Sequence, residues 1–246
     1  MYNIKWDEEK LYNSILDVTA EIKGDACSGA LMSVSIDKYF MAGMEIKQIL
    51  KTLKQARNDA YAPIDYLLSL RYDCTQAMAR ILTDHIEQYD DIFETFRGID
   101  LVGNEKEMLK NDLKEFIEPW RNKSKIIRAH VGEYGDEEHI SFAVKSLKVN
   151  RIAHGICVND PNLIGEIKDK NIPLDICISS NFLTRNVKHL MDHPLKRLIS
   201  YGLRITIGTD DPTVFNTDMS KELRYCKLLL GDGFDDFYLR ICNETY

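Results

Sequence analysis

The stretch IIRAHVGE (residues 126–133) contains a short apolar run that turns polar at its end, and a helical pattern near 137–148 follows it. A second run of this kind, RIAHG (151–155), comes next and precedes another helical pattern near 160–170. Short buried strands that alternate with helices predict a parallel sheet, because a helix makes each return crossover. Both strands also end in a histidine, which indicates where a site would form.

The same alternation extends through the chain in both directions. Five more segments have the pattern of strands: 30–36, 64–70, 98–102, 172–178 and 204–208. Helical patterns follow them in 46–56, 78–86, 108–117, 186–200 and 217–230, and one precedes them in 8–22. Seven strand–helix units fall one short of an eight-stranded barrel. The predicted fold class is therefore α/β, a TIM-barrel-like (β/α)8 domain with its first strand missing.

Length and composition set the class of protein. The 246 residues, 44% of them hydrophobic, suit one barrel domain over 1–246, with a helical lead-in at 1–29 and strands two to eight within 30–246. A net charge of −7 without a cluster of basic residues argues against a nucleic-acid partner. No apolar run approaches the roughly 18 residues that a membrane helix needs. Six scattered cysteines without Cys-x-x-Cys spacing predict reduced thiols and a cytoplasmic location.

Polar residues lie at the predicted strand ends, which is where barrels of this kind keep their working residues. His130 and Glu133 end one strand, and His154 ends the next. Asp210 and Asp211 follow the last strand. Imidazole and carboxylate are the ligands of a catalytic zinc with an open position, and a neighbouring carboxylic acid can move protons. The pattern predicts metal-assisted hydrolysis.

Five motifs occur in the order and approximate spacing of one enzyme family: DLVGNE (100–105), HVGE (130–133), RIAHG (151–155), SN (180–181) and TDDP (209–212). From about residue 30 to residue 225, the chain resembles the adenosine deaminases, which belong to the amidohydrolase barrels. Each motif is short, but five in order are specific. The resemblance implies a barrel of the amidohydrolase type.

The resemblance also implies roles in catalysis. It makes His130 and Asp210 ligands of one Zn²⁺ ion per chain. Glu133 matches the acid that protonates purine N1, and His154 matches the histidine that orients the attacking hydroxide. The implied reaction is the hydrolytic deamination of adenosine, or a related 6-aminopurine nucleoside, to inosine and ammonia.

Two further residues are expected to bind the substrate. Asp211 corresponds to the carboxyl group that meets purine N7, and Gly103 to the glycine whose backbone N–H faces N3. The expected partner is thus a small-molecule purine nucleoside, with neither nucleic acid nor membrane, while the oligomeric state stays open. AMP, adenine and N6-methyl-AMP remain alternative substrates, because deaminases of these compounds share several of the motifs.

The chain departs from the family pattern at the zinc site. The family's first strand carries His-x-His, which supplies two zinc ligands, and these 246 residues contain no His-x-His. Smaller departures are Asn104 for Asp, Val131 for Ala and Asp175 for Glu. Two interpretations follow. The chain either lacks an N-terminal portion, or it is a catalytically impaired purine-binding or interaction protein of deaminase ancestry.

The other histidines are interpreted as structural. His189 and His193 are expected to start a helix and to pack. His85 and His139 lie on helical patterns and are expected to be solvated. Arg71, at the end of a strand, is expected either to approach a ligand or to form a structural salt bridge.

Overall fold

A computed structural model describes residues 6–25, 27–73, 91–108, 113–134 and 136–242. The chain divides into two compact units. Unit 1 comprises Met1–Val102 with Lys114–Ile126, and unit 2 comprises Gly103–Leu113 with Ile127–Tyr246. No helix in the described ranges is long and apolar enough to cross a membrane.

Unit 1 is built on parallel strands that follow one another in chain order. The described strands are β1 (Ala30–Val34), β2 (Ile64–Arg71) and β3 (Phe96–Val102). Its helices are α1 (Glu8–Gly24), α2 (Ile36–Met41), α3 (Ile46–Asp59), α4 (Asp91–Thr95) and α5 (Lys114–Asn122). β2 pairs with β1 on one side, where Ile64 lies opposite Ala30, and with β3 on the other.

The core of unit 1 forms where helices cover the strands. Ile49 and Leu53 of α3 are fully buried, as is Leu67 of β2. α1 packs against α3, and its Leu11 and Ile15, one turn apart on the same face, are buried. The predicted helix over 8–22 is confirmed.

Unit 2 carries four parallel strands and the site. Its strands are β4 (Ile126–Val131), β5 (Arg151–His154), β6 (Leu174–Ile176) and β7 (Ile205–Ile207), paired in chain order. The α-helices are α6 (Glu137–Lys145), α7 (Pro161–Asp169), α8 (Ile178–Leu183), α9 (Leu195–Ser200), α10 (Pro212–Phe215), α11 (Met219–Leu230) and α12 (Phe234–Cys242). Short 3₁₀ helices occur at Glu105–Glu107, Leu190–Asp192 and Gly231–Gly233.

A buried ion pair lies between the strands of unit 2. The carboxylate of Asp175 in β6 accepts from Arg151 Nε at 2.7 Å and from its Nη2 at 2.6 Å. Arg128 of β4 adds a longer contact of 3.3 Å, and Thr206 of β7 also donates to Asp175. Burial opposes ionisation of Asp175, but the charge of Arg151 and these hydrogen bonds hold its pKa below the usual value.

All seven predicted strands are present, and several predicted boundaries are wrong. The strand predicted over 30–36 ends at Val34, because Ile36 already begins α2. The strand predicted over 172–178 spans only Leu174–Ile176, since α8 starts at Ile178.

Two predicted helices are also shorter in the structure. The helix expected over 186–200 is interrupted by Pro194, so a 3₁₀ turn and then α9 take its place. The helix expected over 217–230 begins at Met219, where the Asp218 side chain caps it.

Three predictions concern particular segments outside the site. Of the helix expected over 108–117, only the part from Lys114 is helical in the described residues. The pattern at 78–86, with His85, lies outside the described residues. Arg71 forms an ion pair with Asp73 at 2.8 Å, in agreement with a structural salt bridge.

Candidate active site

Three strand ends of unit 2 bring their polar residues together. His130 lies in β4, His154 ends β5, and Asp210 follows β7. Their potential donor atoms all lie within 4.8 Å of one another. His154 Nε2 is 3.2 Å from His130 Nδ1 and 3.9 Å from Asp210 Oδ2. The convergence predicted from the sequence for these three residues is present in the structure.

The backbone turns sharply at this cluster. His154 has a φ of 68° and Asp210 a φ of 57°, a left-handed conformation that costs a non-glycine residue about 1–2 kcal/mol. Gly132, with a φ of 68°, makes a turn after β4 at which a Cβ would clash with the side chain of Ile140, so the position favours glycine. Unfavourable φ values of this kind are frequent at functional sites.

Glu133 is the ionisable neighbour of the cluster. Its Oε2 lies 3.7 Å from His154 Nε2, and its Oε1 accepts from Asn186 Nδ2 at 3.1 Å. Burial is the main cause that raises the pKa of Glu133 to about 7, the negative charge of Asp210 adds to it, and His130 opposes it. A carboxyl group with this pKa is suited to giving and taking a proton near neutral pH.

A second, fully buried carboxylate holds the turn that carries Glu133. Glu105 accepts hydrogen bonds from the backbone N–H of Gly132 at 2.5 Å and of Tyr134 at 2.8 Å, on either side of Glu133. The sequence did not predict this role of Glu105. Its only signal there is the position of Glu105 just after a predicted strand.

The imidazole of His139 lies in the same region. His139 Nδ1 is 3.8 Å from Glu105 Oε2 and has no hydrogen-bond partner in the described residues. His139 is 3% exposed, so the prediction that it is solvated is wrong. Its side chain falls on the buried face of α6, together with Ile140 and Ala143.

Side chains from the first turn of α8 form hydrogen bonds with two residues of the cluster. Ser180 Oγ donates to Asp210 Oδ2 at 2.7 Å, and Asn181 Nδ2 lies 3.2 Å from His154 Nδ1. Both residues are fully buried. The sequence placed them beyond a strand, and the structure shows that a short helix aims their side chains at the two strand-end residues.

The two predicted substrate-binding residues lie at strand ends, and their contacts to a purine remain a prediction. Asp211 follows Asp210 directly and is exposed at the start of α10. Gly103 follows Val102 with a φ of 96°, which glycine adopts without strain.

A cavity of about 1140 Å³ opens beside Glu133 and Asn186. Its lining includes four basic side chains: Arg185, Lys188, Lys196 and Arg197. His193 also lines it but is itself 5% exposed, and burial lowers the pKa of this imidazole to about 4. The volume is sufficient for a nucleoside or nucleotide.

The donor set of the cluster fits zinc. Imidazole nitrogen and carboxylate oxygen are the ligands that zinc prefers in catalytic sites. His130 and Asp210 would hold the ion, and His154 lies within reach of the same point.

Comparison with known proteins identifies relatives over most of the chain. An adenosine deaminase from Streptococcus mutans is 27% identical over 206 residues, which cover 83% of this chain and 58% of that protein. The N6-methyl-AMP deaminase from Arabidopsis thaliana, solved without ligand, aligns with a TM-score of 0.77 and 21% identity over 92% of this chain and 69% of that one. An amidohydrolase from Burkholderia ambifaria with bound zinc aligns with a TM-score of 0.73 and 18% identity over 88% of this chain and 62% of that one.

These comparisons confirm the predicted fold class. The two structural alignments show the α/β barrel fold of the amidohydrolases, with seven parallel strands in the described part of this chain. The chain spans 58% of the length of the Streptococcus relative. The family model described as adenosine deaminase matches residues 14–240, and the chain therefore belongs to the adenosine deaminase family.

Proposed function

We propose that the protein catalyses hydrolytic deamination of adenosine, or a related 6-aminopurine nucleoside, with one zinc ion per chain. The observation that carries this proposal is the position of Glu133. Its carboxyl group, with a pKa raised to about 7, lies 3.7 Å from His154 and beside a His–His–Asp donor cluster. A proton donor poised near neutral pH next to metal ligands is what hydrolysis of a C–N bond requires.

The reaction forms a bond from C6 to a water oxygen and breaks the bond from C6 to the amino nitrogen. Zinc held by His130 and Asp210 would lower the pKa of its water to about 7 and so supply the nucleophile. Glu133 gives its proton to purine N1, which makes C6 more electrophilic. His154 holds the incoming oxygen by a hydrogen bond. The proton of the added hydroxyl passes to the amino group, which leaves as ammonia while the base becomes the 6-oxo form, and the proton released when the water ionises restores Glu133.

Asp211 and Gly103 complete the proposed site by orienting the purine. The carboxyl group of Asp211 would contact the N7 edge, and the backbone N–H of Gly103 would face N3. Contacts at opposite edges of one ring fix its rotation, so that C6 faces the cluster of His130, His154 and Asp210.

A 6-aminopurine nucleotide is the second candidate substrate. Arg185, Lys188, Lys196 and Arg197 line the cavity beside Glu133 and provide positive charge for a phosphate group. Arg185 and Lys188 are exposed to solvent. If AMP is the substrate, the double variant Arg185→Ala/Lys188→Ala should raise the KM for AMP and leave that for adenosine unchanged. Lys51→Ala, an exposed lysine of α3 in unit 1, is the matched control.

A purine-binding protein without turnover is the alternative of a different class, since the chain has no His-x-His. Ammonia release and the ultraviolet change from adenosine to inosine, together with bound zinc, separate the two functions. For the enzyme extended by a His-x-His strand and loaded with zinc, Glu133→Gln should abolish ammonia release and spare purine binding. Glu138→Gln, an exposed glutamate of α6, should have no effect. Binding of adenosine without any ammonia release, in a zinc-loaded sample, would favour the binding protein.

We also propose a cytoplasmic location. The scattered cysteines support it, since the five in the described residues are free thiols. Burial raises the pKa of the Cys157 thiol to about 12, so this side chain is unreactive although it lines the cavity.

A further inference from the structure

A chain of hydrogen bonds runs from the start of α9 to the candidate site. The backbone N–H of Leu195 donates to His193 Nδ1 at 3.2 Å. His193 Nε2 lies 3.3 Å from Asn181 Oδ1, and Asn181 Nδ2 lies 3.2 Å from His154 Nδ1. All four residues are buried: Leu195, Asn181 and His154 are 0% exposed and His193 is 5% exposed.

The first contact fixes the direction of the whole chain. A backbone N–H can only donate, so His193 Nδ1 must be the acceptor. Burial lowers the pKa of His193 to about 4, so the ring is neutral at physiological pH. A neutral imidazole with an unprotonated Nδ1 carries its proton on Nε2. His193 Nε2 therefore donates to Asn181, which must present its oxygen there.

The orientation of Asn181 then determines the tautomer of His154. With its oxygen turned to His193, the amide directs its NH₂ group at His154 Nδ1. Two donors cannot face each other without an energetic cost, so His154 Nδ1 accepts and carries no proton. The ring proton of His154 lies on Nε2.

We propose that Asn181 and His193 are positioning residues that keep His154 in the Nε2–H tautomer, as a hydrogen-bond donor aimed into the candidate site. His154 Nε2 faces His130 Nδ1 at 3.2 Å and Glu133 Oε2 at 3.7 Å. The catalytic consequence rests on the proposed function: the N–H group holds the incoming oxygen. A nitrogen that carries a proton is not a metal ligand, so the relay leaves coordination to His130 and Asp210.

The tautomer is measurable without zinc, substrate or turnover. In ¹⁵N-histidine-labelled full chain, the ring nitrogen shifts distinguish a protonated from an unprotonated nitrogen, and loss of signals in His154→Gln assigns them. We expect His154 to have a protonated Nε2 and an unprotonated Nδ1. A protonated Nδ1 with a bare Nε2 in the unmodified chain would overturn the proposal.

Asn181→Asp tests the relay directly. A carboxylate only accepts hydrogen bonds, so it should draw the proton of His154 onto Nδ1 and invert the two nitrogen signals. The matched control is Asn162→Asp at the exposed start of α7, which should leave them unchanged. Unchanged His154 signals in a folded Asn181→Asp variant would contradict the relay.

Two substitutions at His193 keep the test independent of Asn181. His193→Gln places an amide donor near the position of Nε2 and should preserve the His154 signals. His193→Phe removes the donor, frees the amide of Asn181 to rotate and should give a mixture of tautomers. Identical His154 signals in both variants would exclude His193 from the relay.

Activity gives a second, separable readout. If the protein is a deaminase, Asn181→Asp should lower kcat on the order of a hundredfold, the effect of losing one aligned donor, and leave KM nearly unchanged. At His193, His193→Phe should lower kcat, and His193→Gln should restore most of that loss. A zinc-loaded chain extended by a His-x-His strand that shows the expected tautomer but no turnover would refute the proposed function and leave the relay standing.

Discussion

The carboxylate of Glu105 accepts a hydrogen bond from the backbone N–H of Tyr134 at 2.8 Å, and so holds the residue that follows Glu133. A second bond from the N–H of Gly132 holds the residue that precedes Glu133. A buried carboxylate thereby fixes the backbone on both sides of the proposed proton donor. The carboxyl group of Glu133 itself accepts a hydrogen bond from Asn186 and lies 3.7 Å from His154 Nε2.

Glu105→Gln should destabilise the protein and displace Glu133. A glutamine side chain has one acceptor oxygen, so one of the two N–H groups loses its partner in a buried site. An unsatisfied buried donor costs about 1–3 kcal/mol. Urea unfolding measures this free energy, with the exposed Glu138→Gln as control. Equal unfolding midpoints for the two variants would show that Glu105 does not hold the turn.

Deamination should slow as the pH rises through about 7. The proposed role of Glu133 needs its protonated form, and its pKa is raised to about 7, chiefly by burial. The rate at saturating substrate, measured from pH 5 to 9, should therefore fall on the alkaline side with a midpoint near that value. A rate that keeps rising to pH 9 would mean that Glu133 does not donate the proton.

Glu133→Gln should stabilise the protein at pH 8 and not at pH 4. The folded-state pKa of about 7 lies above the ordinary 4.5, so the folded state holds a proton that the unfolded state has lost between these values. Stability of the unmodified chain thus falls as the pH rises through this window, by at most about 3 kcal/mol. Thermal or urea unfolding at both pH values measures the increase in unfolding free energy of the variant. This measurement does not depend on enzyme activity. A gain of equal size at both pH values would contradict the raised pKa.

Asp175→Asn should be strongly destabilising at neutral pH. It leaves the buried guanidinium of Arg151 without its charged partner, which typically costs about 3–5 kcal/mol. The pKa of Asp175 is lowered in the folded state. The stability that its ionised carboxylate contributes is therefore fully present above the ordinary pKa of 3.8 and is lost as the pH falls through the lowered pKa. The difference from the unmodified chain should therefore shrink in strong acid.

The exposed Asp169 provides the control for this experiment. Asp169→Asn should change the unfolding free energy by less than about 0.5 kcal/mol at any pH, as is usual for surface substitutions. If Asp175→Asn costs no more than Asp169→Asn, the ion pair with Arg151 contributes nothing to stability.

The sequence was sufficient to predict the strands and the residues at their ends. β4 and β5 lie within the stretches 126–133 and 151–155 where strands were predicted, because an apolar run followed by a polar residue marks a buried strand at a barrel mouth. Hence His130 and His154 were located correctly relative to each other. Their side chains meet because the two strands are neighbours, with His130 opposite Ala153 in the register.

The supporting residues could not be predicted in the same way. Asn181 and His193 reach His154 through α8 and the turn at Pro194, neither of which has a periodic signal long enough to recognise. His139 was misjudged because a histidine on an amphipathic helix is compatible with either face. Contacts of this kind depend on side-chain directions across separate elements, and local sequence patterns do not contain them.

Zinc retention should limit the activity of the 246-residue chain. The sequence lacks His-x-His, and the proposed relay assigns His154 to hydrogen bonding, so the proposed protein ligands are two, His130 and Asp210. Catalytic zinc normally has three, so dialysis should remove the ion readily and turnover should be feeble.

A version with a His-x-His strand placed ahead of β1 should retain one zinc per chain. It should also deaminate adenosine at least about a hundredfold faster, the factor that an error of 1 Å in positioning can cost. Glu133→Gln should matter little in the first protein and abolish turnover in the second. Metal analysis after dialysis and ammonia release measure both properties. Robust, chelator-sensitive deamination by the 246 residues alone would show that the ligands have been assigned wrongly.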